Sequence, residues 1–372
     1  MSRTQERFGA VPTPASEPSS TARTSTTKRV VQGVISLAIV VAIFVFAIPR
    51  IADYSAVWTT VSDLTPLELG SLIVAMVFNL LTYWLQNMAA LPGLTLGQSA
   101  VLTQTTTSVA NTIPAGGAVA VGLTYSMLRS WGFDGQAVAL YVGITGIWNI
   151  FMKLGLPIIA LAALAISGQA SGALVVASLI GLAVLVVAVS LFALALWKKE
   201  FARRIGDRLG RIASALGRPF HRSPVTGWGE QAVDFRKRTI ALVSRRWLPL
   251  TVTTVVSHLA LWIVLLLCLR HIGIGESEVS TLQVLAVFAF GRLIGALPIT
   301  PGGLGVIELG YIGGLVAAGG PKPEVVAAVL LFRVLTYGVQ IPLGGFTYMV
   351  WRGRSGWRGS PPAEEPGPVT AA

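Results

Sequence analysis

Apolar residues occur along this chain in runs long enough to cross a lipid bilayer. A membrane-spanning helix needs about 20 mostly apolar residues to cross roughly 30 Å of hydrocarbon. Uninterrupted runs of this kind cover residues 30–48, 67–90, 136–165, 172–197, 247–269 and 324–350. The pattern predicts an all-α polytopic membrane protein with about six full transmembrane helices.

Two further apolar segments are interrupted at their middles. Segment 99–127 contains Asn-Thr-Ile-Pro-Ala-Gly-Gly at 111–117, and segment 281–320 contains Leu-Pro-Ile-Thr-Pro-Gly-Gly-Leu-Gly-Val-Ile-Glu at 297–308. Proline and glycine break helices, and a broken backbone is tolerated in hydrocarbon only where protein buries it or where it lines a cavity. Both segments are therefore predicted to be broken, re-entrant helical hairpins.

The distribution of positive charge supports re-entry. Thirteen of the 28 Lys and Arg residues lie within 198–246, five precede Val30, and three follow Trp351. Such residues favour the cytoplasmic side of a membrane. All three basic regions lie on that side if each broken segment enters and leaves on one face. A split of 136–165 into two short helices is an alternative solution.

The two broken segments share a pattern. Each combines a proline with a Gly-Gly pair, and each precedes a helix with a basic residue in its apolar run, Lys153 or Arg333. Paired interrupted segments of opposite orientation indicate an inverted-repeat transporter with a site near the midplane. An inverted repeat is therefore predicted as possible.

Ionisable residues near the breaks are the candidates for binding. Glu308 follows the second break by about one helical turn, where free N–H groups favour an anion. Its carboxylate suits a cationic headgroup or a proton; alternatively it forms a structural ion pair with Arg292 or Arg333. Arginine binds phosphate through a planar guanidinium, so both arginines are candidates for a phospholipid headgroup. The candidate lipid-binding residues are Glu308, Arg292, Arg333, Pro301, Gly302, Gly303, Gly305, Pro114, Gly116, Gly117 and Lys153.

The polar parts of the chain suggest a simple domain plan. Residues 1–27 and 353–372 are predicted to be disordered cytoplasmic tails around a membrane domain at 28–352. The basic loop 198–246 contains an amphipathic segment, which we expect to lie on the anionic cytoplasmic leaflet. Polar stripes on the apolar helices, such as Asn79 and Asn111, are expected mainly to form interhelical hydrogen bonds.

Composition and missing motifs narrow the function. Hydrophobic residues make up 53% of the chain and charged residues 12%, and the net charge of +12 is explained by membrane topology without nucleic acid. The histidines are isolated and Cys268 is the only cysteine, so no metal ligand set is evident. No nucleophile elbow or phosphate-cradling loop occurs. We expect no enzymatic activity, no metal and no cofactor.

The run from Gly291 to Glu308, with its Pro-Gly-Gly-Leu-Gly-x-x-Glu element, resembles the signature of the lysylphosphatidylglycerol synthase transmembrane, or flippase-like, family. Residues 114–117, Arg333 and the proline-glycine end of the last helix fit as well. The resemblance implies a multi-pass inner-membrane protein, with both termini cytoplasmic, that moves a lipid or helps to move it. About twenty residues follow Trp351. No aminoacyl-transferase module is therefore expected, and neither is lysyl transfer.

The expected function is translocation of an anionic phospholipid or a lipid-linked sugar, without a nucleotide motor. Glu308→Gln and Arg333→Ala should then reduce transport and leave expression intact, whereas equal loss of folded protein would indicate a structural ion pair. A second hypothesis is a non-transporting partner of a lipid-modifying or polyprenyl-phosphate glycosyltransferase enzyme. A third is a proton-coupled transporter of a small solute.

Overall fold

The computed structural model describes residues 54–113, 116–168, 172–217, 227–296 and 300–354, and all regular structure within them is helical. The helices are α1 Tyr54–Ser62, α2 Pro66–Ala90, α3 Leu96–Thr112, α4 Gly116–Ser130, α5 Gly135–Ile166, α6 Gly172–Trp197, α7 Lys199–Gly217, α8 Trp228–His271, α9 Thr281–Ile294, α10 Val306–Ala317, α11 Lys322–Arg333 and α12 Gln340–Gly353. The all-α prediction is confirmed. The predicted helix 30–48, the tail 1–27 and residues 355–372 lie outside the described residues.

Five helical stretches are long and apolar enough to cross a membrane, and they match the five other predicted spans. They are α2, α5, the Leu179–Trp197 part of α6, α8, and the continuous Lys322–Gly353 stretch of α11 and α12.

Helix α5 answers the question left open by the sequence. It is one helix of 32 residues with Pro157 inside it, so the alternative of two short helices is wrong. At 1.5 Å per residue it is about 48 Å long. A helix longer than the hydrocarbon thickness is accommodated by tilting.

Two features of the fold differ from the sequence prediction. Helix α8 begins at Trp228 rather than at 247 and has 44 residues, so the last part of the basic 198–246 segment is helical and not a loop. The charged residues there lower the hydropathy but include good helix formers, so they do not end the helix. The short helix α1 was not predicted, and it packs against α11.

Helices α3 and α4 form a hairpin that enters and leaves on one face of the bundle. Trp131, which follows α4, shares a hydrophobic cluster with Leu94, which precedes α3. The start of α5 and the end of α12 reach the same cluster, and the basic helix α7 follows α6 on this side of the bundle. We call this side the basic face. The predicted re-entry of the first broken segment is therefore confirmed.

Helices α9 and α10 form a second hairpin that opens at the opposite face. Val279, just before α9, and Leu315, near the end of α10, share a second cluster with Leu269 at the end of α8. Helix α2 connects the two faces, since Leu72 lies in this cluster and Ala90 in the first.

The contacts between elements repeat in the opposite orientation. Helix α2 packs along α8, while α3 packs against α12 and α9 packs against α5. The same cap begins both hairpins: Gln98 accepts from the backbone N–H of Thr95 at 3.1 Å, and Gln283 accepts from that of Ser280 at 2.8 Å. This arrangement agrees with the possible inverted repeat that the sequence indicated.

Helix α7 packs on the first turns of α8 and leaves an amphipathic surface uncovered. Its small residues approach α8 closely: a Cβ on Gly206 would lie 2.4 Å from the carbonyl oxygen of Trp228. The neighbouring side chains of Leu209 and Ile212 remain 51% and 55% exposed. Exposed apolar residues flanked by arginines are typical of a helix that lies on an anionic membrane surface.

This placement predicts the environment of a label on α7. In liposomes that contain anionic lipid, a nitroxide at Leu209→Cys in a Cys268→Ala background should be more accessible to oxygen than to a water-soluble nickel chelate. The same label at Arg211→Cys, on the polar side of the helix, should show the reverse. Power-saturation electron paramagnetic resonance measures both, and high nickel accessibility at both positions would place α7 in water.

Candidate functional site

A polar cavity of about 330 Å³ lies where the two hairpins meet the long helices. Lys153, near the middle of α5, places it deep within the bundle. Its polar and charged lining residues are Asn79, Tyr83, Thr103, Thr107, Asn111, Lys153, Arg292, Tyr311, Arg333, Thr336, Tyr337 and Gln340. Among the described residues that line it there is no aspartate or glutamate.

The tip of the second hairpin is a tight glycine turn beside this cavity. Residues Pro301–Gly303 form one 3₁₀ turn, and Gly302, Gly303 and Gly305 have φ values of +58°, +69° and +83°. Glycine adopts this left-handed region readily, whereas other residues do so at a cost. The three glycines therefore let the chain reverse between α9 and α10.

The two hairpin tips touch at Gly302. A Cβ at this position would lie 2.5 Å from the Tyr337 ring and 2.7 Å from Oδ1 of Asn111, which belongs to the first hairpin. The Tyr337 hydroxyl also donates to the Asn111 carbonyl at 2.7 Å. The absence of a side chain at Gly302 thus allows the tips to meet inside the bundle.

An ion pair ties the second hairpin to α11. The Nε of Arg333 donates to Oε1 of Glu308 at 2.6 Å, and the Glu308 side chain is completely buried. Glu308 lies in the first turn of α10, directly after the break. It does not line the cavity, so its visible role is to hold Arg333 in place.

Two weaker contacts complete the positioning of Arg333. Its Nη2 points at the Gly302 carbonyl, 3.4 Å away, and its guanidinium carbon lies 4.5 Å from the centre of the Tyr337 ring. A cation over a tyrosine face is stabilised by about 0.5–2 kcal/mol. Arg333 therefore presents a fixed positive charge to the cavity.

A widened helical turn follows Arg333 and shapes the same wall. Residues Val334–Gly338 form a π-turn, with the Val339 N–H donating to the Val334 carbonyl at 2.9 Å. Pro342 has no N–H to donate to the carbonyl of Gly338, four residues earlier, which favours a change in the hydrogen-bond pattern here. Such turns occur frequently at functional sites.

Arg292 and Lys153 differ from Arg333 because neither has a carboxylate partner among the described residues. Both are half-buried, and the Nε of Arg292 is buried without a hydrogen-bond partner in that part of the chain. The lining therefore combines one paired cation with two that are free to bind an anion.

The structure brings part of the predicted site together. Arg292, Arg333, Lys153 and Gly302 line the cavity. The other predicted residues of the second break belong to the turn or lie beside it: Pro301, Gly303, Gly305 and Glu308.

The two described candidate residues of the first break, Gly116 and Gly117, do not line the cavity. Gly116 is buried, and a Cβ there would lie 2.5 Å from the Val109 carbonyl oxygen, so this glycine permits the close turn between α3 and α4. Gly117 is exposed and its Cβ would meet open space. Pro114 lies outside the described residues.

The polar stripes on α2 and α3 form interhelical hydrogen bonds, as expected, and also contribute to the lining of the cavity. Asn79 donates to the Ser257 carbonyl at 3.0 Å, and Gln86 donates to the Thr254 hydroxyl at 3.0 Å, which confirms interhelical hydrogen bonding. Asn79 and Asn111 also line the cavity.

Sequence reasoning missed several lining residues: Thr103, Thr107, Tyr311, Thr336, Tyr337 and Gln340. A signal for some of them was present. Tyr337 and Gln340 follow Arg333 at spacings of four and seven, which place side chains on one helical face. Tyr311 gave no such signal, because a helical tyrosine among apolar residues usually belongs to a core.

Comparison with known proteins agrees with this architecture. The chain matches the family described as "Lysylphosphatidylglycerol synthase TM region" over residues 33–344. It belongs to this family. The match covers both hairpins, the cavity and the amphipathic helix α7. A search among curated proteins finds no match.

Membership of the lysylphosphatidylglycerol synthase transmembrane family, together with the five apolar spans, makes this a membrane protein tied to lipid metabolism or translocation. The family description refers to the membrane region, and the matched residues include those that line the polar cavity.

Proposed function

We propose that this protein translocates a lipid with an anionic phosphate headgroup across the membrane, without chemical conversion of the lipid. The single observation that carries the proposal is the cavity deep in the bundle, with Lys153, Arg292 and Arg333 in its lining and no lining carboxylate among the described residues.

The charged headgroup is the part of a lipid that is costly to move across a membrane. Ionised groups are costly in hydrocarbon, by several kcal/mol or more, unless a partner compensates the charge. A guanidinium binds phosphate through two hydrogen bonds, and a lysine supplies a further positive charge. The three cations therefore offer a phosphate an intermediate position between the two leaflets.

The size of the cavity supports a headgroup and not a whole lipid. Pockets for small molecules measure roughly 300–1,000 Å³, and this cavity is at the lower end with about 330 Å³. In the proposed mechanism the headgroup occupies the cavity while the acyl or prenyl chains remain in the bilayer.

The orientation is part of the proposal. The basic face carries α7 and the end of α12 with Arg352, and positively charged residues favour the cytoplasmic side. We propose that this face is cytoplasmic in a bacterial-type inner membrane.

Reconstitution into liposomes tests the proposed function. The purified protein should accelerate dithionite bleaching of an acyl-labelled fluorescent phosphatidylglycerol in the inner leaflet, compared with protein-free liposomes. Arg292→Gln should slow this movement by at least about tenfold, which corresponds to about 1.4 kcal/mol lost from the bound phosphate.

The matched control is Lys237→Gln, which removes an exposed cation of α8 outside the cavity and should leave the rate unchanged. No acceleration by folded wild-type protein for phosphatidylglycerol and for a polyprenyl-phosphate sugar would contradict translocation. That result would favour the non-transporting partner or the solute transporter.

A further inference from the structure

The charges around the cavity differ from what a cationic headgroup would require. The family description refers to the lysyl ester of phosphatidylglycerol, whose headgroup carries ammonium groups in addition to the phosphate. A site for such a headgroup needs a carboxylate or another acceptor in position to bind an ammonium group.

The carboxylate of Glu308 bonds the lining residue Arg333 and does not itself line the cavity. Its side chain is 0% exposed, and its Oε1 bonds Arg333. Its Oε2 has no hydrogen-bond partner in the described part of the chain, but it is buried and offers no surface to a headgroup in the cavity. A headgroup in the cavity therefore meets Arg292, Lys153 and the outer side of Arg333, and not the carboxylate.

The uncharged polar side chains of the lining favour a headgroup that carries hydroxyl groups. The side chains of Asn79, Thr107, Thr336 and Gln340 border the cavity and supply amide and hydroxyl groups. Such groups exchange hydrogen bonds with the hydroxyls of a polyol or a sugar. They do not compensate an ammonium charge that lies next to the cations Arg292 and Lys153.

We infer that the cavity selects lipids whose headgroup is a phosphate ester of an uncharged polyol or sugar, and that it rejects aminoacylated, cationic headgroups. This inference rests on the proposed function and specifies its substrate class. Arg292 and Lys153 are the residues that determine the selectivity, since Arg333 binds phosphate from a position in which it already has a counter-charge in Glu308.

A comparison of the transport rates of two matched lipids tests the selectivity. Phosphatidylglycerol and its lysyl ester, both with the same fluorescent acyl chain, are compared in liposomes with the wild-type protein. Phosphatidylglycerol should move at least about tenfold faster, equivalent to about 1.4 kcal/mol of discrimination. A third arm measures the transport of a polyprenyl-phosphate hexose, detected when the sugar becomes accessible to periodate outside the liposomes. This arm shows whether the transported lipid with this headgroup chemistry is a glycerolipid or a prenyl-linked lipid.

Charge reversal provides the second measurement. Arg292→Glu with Lys153→Glu should reduce the ratio of phosphatidylglycerol to lysyl-ester transport by at least about tenfold, while Lys237→Glu should not change it. If the double variant does not elute as a folded, monodisperse protein, Arg292→Gln alone should still reduce the ratio. Each variant is compared by the ratio of two rates, so a different amount of active protein does not alter the result.

The outcomes separate the two proposals. A lysyl ester that moves as fast as phosphatidylglycerol, or faster, would overturn the selectivity and leave lipid translocation intact. Failure of all three lipids to move faster than in protein-free liposomes would overturn translocation itself, and the selectivity with it. Movement of the hexose lipid alone would support the selectivity and assign it to a prenyl-linked substrate.

Discussion

Glu308→Gln is expected to destabilise the folded protein by about 3–5 kcal/mol, because it leaves the guanidinium of Arg333 without its buried counter-charge. The carboxylate is completely buried and lies 2.6 Å from Arg333 Nε. The effect should appear as a lower midpoint of thermal unfolding in detergent, followed by tryptophan fluorescence. This expectation differs from the one based on sequence, which had the folded protein intact.

The double variant Glu308→Gln with Arg333→Gln separates the ion pair from a role in binding. Removal of both charges avoids the unpaired buried cation, so the double variant should be more stable than Glu308→Gln alone. Its transport should nevertheless stay low, since one cation of the cavity is missing. A double variant with the stability of the single variant would show that the pair is not what holds α10 to α11.

Gly302→Ala is expected to separate the two hairpin tips. The left-handed φ of +58° costs an alanine about 1–2 kcal/mol, and its Cβ would lie 2.5 Å from the Tyr337 ring. Relief of such an overlap costs roughly 1–3 kcal/mol more. The variant should unfold at a lower temperature and should lose most of its lipid transport.

The control for this variant lies in the same hairpin. Gly313 in α10 has open space around its Cβ position, so Gly313→Ala should leave stability and transport close to wild type or raise stability slightly, since alanine favours a helix. If both alanine variants behave alike, the contact between the tips has no energetic importance.

The arrangement of the hairpins could be predicted from the sequence because topology depends on charge. The positions of the arginines and lysines allow only an even number of crossings between the basic regions, and the breaks at 113–116 and 295–305 supply the two segments that return to their own face. Both features can be read from the sequence without knowledge of side-chain contacts. The prediction therefore succeeded at the level of elements.

The role of Glu308 could not be predicted in the same way. A carboxylate one turn after a helix break either faces a cavity or packs against a neighbour, and the spacing is the same in both cases. The decision depends on Arg333, which lies 25 residues later and reaches it through the packing of α10 on α11. The start of α8 was also predicted wrongly, at 247 and not at Trp228. Hydropathy shows where a helix enters the bilayer, but the helix itself continues beyond that point.

The opposed packing of the two hairpins bears on the energetics and direction of the proposed translocation. If the two halves exchanged conformations during transport, one half would form again the contacts that the other half loses. Two states that open to opposite faces would then have similar free energies, and thermal motion would suffice to interconvert them. We expect net lipid flow to follow the concentration difference between the leaflets and to run in either direction.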